Sequence, residues 1–145
     1  MNHNDTVEMR LGELLVSRPR TVSELALTVR RFVADRAVNA SEMLYSGYAV
    51  SNVFSYSHRL REAFIHIAIY SKHVNLGFNQ GTLLPDPAGI LSGAGKLIRH
   101  VRIDSGSKLE EPEVVCMIDA AIDLGRRTAE EAEMVLPKKF LDKSD

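Results

Sequence analysis

The segment KHVNLGFNQGTLLPDPAGILSGAGKLIRHVR, Lys72 to Arg102, decides the fold. Val74, Leu76 and Phe78 alternate with Asn75 and Gly77, and a period of two places the three apolar side chains on one face of a strand. Leu97–Ile103 alternates again and reads as a closing strand. Between the two, Gly81–Gly95 holds four Gly and two Pro. Proline removes a backbone donor and fixes φ, so this stretch fits neither a central strand nor a helix interior, and a folded-back surface loop is expected.

Working outward, Ala63–Tyr70 alternates as well. Ile65, Ile67 and Ile69 share one face; Phe64, His66, Ala68 and Tyr70 share the other. Ser71-Lys72-His73 is a tight turn, so this strand and the next form a hairpin. Ser41–Tyr48 and Ala49–Tyr56 read as two further strands around Gly47, and Ser57–Arg61 as a basic connection. The first forty residues carry a helical period instead. Val7, Leu11, Leu14 and Leu15 follow the cap residues Asn4 and Asp5, and the pattern stops at Ser17-Arg18-Pro19. Thr21-Val22-Ser23-Glu24 has the spacing of a capping box and opens a helix to about Ala37. Pro112 suits the first turn of a third helix with Val115, Ile118, Ala121 and Ile122 inward. Thr128-Ala129-Glu130-Glu131 repeats the capping pattern and predicts a separate terminal helix ending before Pro137. Beyond Met134, Phe140 and Leu141 alone offer too little apolar surface to order the charged tail.

Across residues 21 to 123 the chain resembles the YdhG-like family of small bacterial α+β domains of unknown function. The likeness is tightest at Lys72–Phe78 (with HVNLGF), Leu84–Pro87 (LPDP) and Gly95–Val101 (GK, then RHV). Relatives often carry a tryptophan near the first strand, where this chain has Tyr45-Ser46-Gly47-Tyr48 and no Trp. The branch proposed as iron chaperones lacks the VNLGF segment, so the iron role does not carry over with the motifs. The resemblance implies a fold and almost no activity. It suggests an N-terminal helical extension over residues 1–20, an α+β domain over 21–125, and a C-terminal helix and charged tail over 126–145.

With 145 residues, 45% of them hydrophobic, the chain can bury one sizeable core. Eighteen Lys and Arg against nineteen Asp and Glu leave a net charge of -1, with no overall field to hold a phosphate backbone or an anionic membrane. Neither a nucleic-acid nor a membrane partner is expected. One cysteine, Cys116, cannot close an intramolecular disulfide, and Met1–Asp5 has no signal-like start, which together lead to the expectation of a cytoplasmic protein.

Each chemically suggestive motif has a plainer reading. Gly93-Ala94-Gly95-Lys96 places amides beside a lysine, as anion-binding loops do, but it lacks the spacing, the hydroxyl and the following helix of a nucleotide-binding P-loop. His66, His73 and His100 sit on or beside strands without a local partner at ligand spacing, so no metal or other cofactor is expected. Cys116 beside Val114 and Val115 reads as a small core residue rather than a nucleophile. In the closing strand Lys96, His100 and Arg102 share one face, and Arg99 falls on the other with Leu97, Val101 and Ile103. A cation on an apolar face calls for a carboxylate, Asp86 or Glu42; the alternative is that Arg99 holds an anionic ligand.

These readings converge on an α+β fold, an antiparallel sheet of about five strands packed against N- and C-terminal helices. The expected function is a non-catalytic binding module for a small, anionic ligand or a protein partner, with no catalytic residues; the alternative is a small enzyme or a metal (iron) carrier. The expected ligand-binding residues are Lys96, Arg99, His100, Tyr48, His66 and Asn75. Open sheet edges and an aromatic face also make a homodimer the expected assembly.

Overall fold

The computed structural model describes residues 2–144, with side chains to residue 133. Two helices, α1 (His3–Leu14) and α2 (Arg20–Arg36), precede five strands: β1 (Ser41–Ser46), β2 (Val50–Ser55), β3 (Ile65–Ile69), β4 (Val74–Phe78) and β5 (Arg99–Ile103). One long helix, α3 (Pro112–Ser144), follows. The strands lie in chain order and every neighbouring pair is antiparallel, a meander that needs only short connections. The exception is the link from β4 to β5, the Gly/Pro segment. It loops outward and returns through Ser92, which exchanges backbone hydrogen bonds of 2.8 and 2.9 Å with His100. That bridge covers part of the outer edge of β5 and blunts it against further pairing.

The period of two sorts the sheet as the sequence implies. Ile65, Ile67, Ile69, Val74, Leu76, Phe78, Val101 and Ile103 are buried and form one core with Val22, Ala26, Val29 and Val33 of α2 and Val114, Met117, Ile118 and Ile122 of α3. Leu11 and Leu15 place α1 and its end in the same core. The helices therefore cover one face, and the face carrying Met43, Ser51, His66, Asn75 and His100 is left half-exposed.

The helix ends differ from the sequence reading. Asn2, not Asn4 or Asp5, caps α1, accepting from the Asp5 amide at 2.9 Å, because the helix starts a turn before its first apolar residue. Asn4 instead accepts from Arg30. The Thr21–Glu24 capping box does not form. The helix begins at Arg20, so Thr21 is already inside it, and Glu24 pairs with Arg20 at 2.8 Å. Thr128 is likewise interior, donating to the Leu124 carbonyl at 2.9 Å, and α3 continues as one helix past Pro137. The inward stripe of α3 includes Val114 and Met117, one position out of phase with Val115, which turns Cys116 outward to an exposed position. Phe140 and Leu141 lie outside the described side chains.

Among the described residues Arg30, Asn52, Ser55 and Glu62 are the buried polar ones, and Arg30 is the largest fully buried side chain. Arg30 of α2, 1% exposed, donates from Nε to Glu42 Oε2 at 3.0 Å and from Nη2 to Glu42 Oε1 and to Asn4. Asn52 donates to the same carboxylate at 2.9 Å, and His3 lies 3.1 Å from it. Every lone-pair direction of Glu42 is taken, as a buried carboxylate requires.

Candidate functional site

On the open face the strand register builds a cross-strand row: Met43, Val53, His66, Gly77 and His100 are successive partners from β1 to β5. Gly77 lies mid-strand, where glycine weakens a sheet unless another group needs its space. That group is His66. A methyl group on Gly77 would collide with the His66 imidazole, Nε2 foremost, so the ring fills the space over Gly77 that a side chain there would take. Its other nitrogen, Nδ1, is 3.0 Å from Asn79 Oδ1. With the amide oxygen accepting from Nδ1–H, the neutral ring keeps its lone pair on Nε2. Burial pushes the imidazole below its ordinary value, the Asn79 hydrogen bond opposes this, and nearby His100 lowers it further.

The same hydrogen bond turns Asn79 Nδ2 away from His66. Asn79 stands at the end of β4, beside a cavity of about 410 Å³ lined by Leu60, Arg61, Ala63, Asn79, Gln80 and the run from Gly95 to Ile98. This is the end of the sheet where Phe54, Ile65, Phe78 and Arg99 are paired. A 3-10 turn over Leu60–Glu62 brings Arg61 to the rim. On the far side, Thr82 Oγ1 donates to the Lys96 carbonyl at 3.0 Å and the Thr82 amide to the Leu97 carbonyl at 3.0 Å, holding the Lys96 segment in place. Two cations and two carboxamides thus converge on one opening. Their donors suit an acceptor-rich, negatively charged group.

The structure divides the six residues expected from the sequence. His66, His100 and Asn75 share the open face, Asn75 one row along beside Arg102. Lys96 lines the cavity, as does Asn79, whose side chain hydrogen-bonds His66 on that face. Tyr48 lies at the opposite end, in the β1–β2 turn, 96% exposed and edge-on to Tyr70 at 6.0 Å. The rows that end the sheet, through Val50 and Phe54, are about 13 Å apart by strand rise, so Tyr48 belongs to another surface. Arg99 is also corrected. No carboxylate among the described residues pairs with it: Glu42 is on β1, four strands from β5, and is held by Arg30, and Asp86 accepts from the Ile90 and Leu91 amides at 2.9 and 3.1 Å to close its own loop. Arg99 Nη1 instead donates to the Gly95 and Ile98 carbonyls at 2.7 and 2.8 Å. It braces the cavity wall from behind. Gly93, at φ 134°, permits that arrangement, since a Cβ there would press on the Ile98 carbonyl and the Arg99 side chain.

Arg61, Asn79, Gln80 and Leu60 were not singled out by the sequence, because nothing local ties the 3-10 turn after β2 to the loop after β4. The one legible signal was Gly77 in mid-strand, between the buried Leu76 and Phe78. Elsewhere, a depression of about 600 Å³ lies between α1 and the α2–β1 connection, but its deep acceptor, Glu42, is already saturated. A smaller apolar one of about 280 Å³ separates the Pro85–Ile90 loop from α3 beside Cys116. Among the described residues no three His, Cys, Asp or Glu gather as metal ligands, and no helix is long and apolar enough to cross a membrane. No family model, curated protein or solved structure matches the chain.

Proposed function

We propose that this protein is a non-catalytic binding module for a small anionic ligand, taken into the cavity beside Asn79. The observation that carries this reading is the convergence of Lys96, Arg61, Asn79 and Gln80 on one concave opening at the end of a rigid sheet. A general acid–base site would need a titratable group facing the ligand. The candidate base, His66, turns Nε2 over Gly77 and presents only its Asn79-bound side toward the cavity. The likeness of Lys72–Phe78, Leu84–Pro87 and Gly95–Val101 to YdhG-like domains is part of the reading, on sequence motifs alone.

Thermal unfolding with a panel of small anions at constant ionic strength tests it. A ligand that binds only the folded state stabilises by RT ln(1 + [L]/Kd), about 2.7 kcal/mol at a hundredfold excess over Kd. Lys96→Ala, at an exposed position, should leave the ligand-free melting temperature in place and remove most of that gain. Equal stabilisation of wild type and Lys96→Ala would place the anion elsewhere.

A further inference from the structure

The walls of the cavity carry more information than its charge. Leu60, Leu97 and Ile98 are 52%, 47% and 51% exposed, and all three line the same opening as Arg61 and Lys96. Single exposed apolar side chains are ordinary; three in one concavity leave a wettable apolar surface that a ligand can cover. The charge there is small. Arg61 leans on Glu62, Nε to Oε2 at 3.8 Å, whereas Lys96 has no carboxylate within 4.0 Å among the described residues. Among the described residues the cavity lining therefore holds Lys96, a cation with no carboxylate beside it, Arg61, a cation offset by the neighbouring Glu62, two amides and three aliphatic side chains. An inorganic phosphate would bring a second charge without a second free cation and would leave the apolar walls wet.

Building on the binding reading above, we infer that the ligand is an amphiphilic monocarboxylate, its carboxylate on Lys96 and Asn79 Nδ2 and its aliphatic tail against Leu60, Leu97 and Ile98. Asn79 orients the headgroup because His66 holds its oxygen and leaves the amide nitrogen free. Arg99 keeps the Gly95–Ile98 wall closed behind the tail without touching the ligand.

The experiment is a titration of the full chain with acetate, butyrate, hexanoate, hexanamide and inorganic phosphate, followed by calorimetry and amide chemical shifts. Affinity should rise about fourfold per methylene from acetate to hexanoate, the increment expected of a buried CH₂. Hexanamide should bind at least tenfold more weakly than hexanoate, and shifts should cluster at Leu60, Asn79, Gln80 and Leu97. Leu97→Ser should flatten the chain-length series, while Lys96→Ala should weaken every carboxylate by a similar factor. Leu60→Ser serves as the second tail variant if Leu97→Ser unfolds. Phosphate or acetate binding as tightly as hexanoate would overturn the amphiphile and leave the anion-binding reading standing. Hexanamide matching hexanoate, or shifts confined to the apolar pocket beside Cys116, would overturn the carboxylate assignment at this cavity. No binding by any of these anions would end both readings.

Discussion

Arg30 and Arg99 make opposite use of the same side chain. Both project toward the helix-covered side of the sheet, one from α2 and one from the start of β5. Arg30 is 1% exposed and meets a carboxylate whose remaining acceptors are filled by Asn52 and His3. Arg99 lies half-exposed at the sheet's end and satisfies itself on two backbone carbonyls of its own loop. A guanidinium in the core must be paired because desolvation is costly there, whereas at the rim water supplies what the protein does not. Neither carboxylate expected for Arg99 meets it: Glu42 stands on β1, four strands away from β5, and Asp86 is closed onto its own loop.

The difference can be measured. Arg30→Ala would strand the Glu42 carboxylate in the core and should cost about 3–5 kcal/mol in urea unfolding. A loss below about 1 kcal/mol would mean that water reaches Glu42 and that the two arginines are alike. The open face gives an intermediate case. Gly77→Ala forces the His66 ring from its place and should cost about 1–3 kcal/mol, as overpacking does. In a His66→Ala background the same change should be close to neutral, and an unchanged cost there would show that the backbone, not the ring, requires glycine. Arg99→Ala should be the mildest, about 1 kcal/mol or less for two partly solvated hydrogen bonds. A loss as large as that of Arg30→Ala would reveal a buried partner and restore the ion pair expected from the sequence.

How much of this was legible varies with the range of the interaction. The β3–β4 hairpin could be read because Ile65, Ile67 and Ile69 and then Val74, Leu76 and Phe78 keep period two on either side of the short turn Tyr70–His73. The loop before β5 could be read because Pro85, Pro87 and four glycines exclude regular structure. Helix ends were read less well. Asn4, Thr21 and Thr128 all have the chemistry of a cap, but a cap is defined by where the first helical φ/ψ falls, and at all three positions the helix had already begun. Cys116 was misplaced by a single position, because a stripe on a helix rotates 100° per residue and one step moves a side chain from core to solvent.

His66, Asn75 and His100 were expected at a site from strand alternation alone, and they do share a face. That alternation could not show that His66 lies over Gly77, since the pairing of β3 with β4 depends on the turn between them, and one residue of slip would replace glycine with Leu76 or Phe78.

The amino-acid sequence by itself determined the α+β class, the antiparallel strands and the face each residue of β3 and β4 takes, because these follow from local periodicity and from what proline and glycine forbid. Only the tertiary structure decided which partner each polar group meets. Glu42 goes to Arg30 rather than Arg99, Asp86 closes its own loop, and Asn79 joins His66 to a cavity whose other walls come from the turn after β2 and the loop before β5. Those choices depend on proximity across long stretches of chain and on burial, and composition and period carry neither.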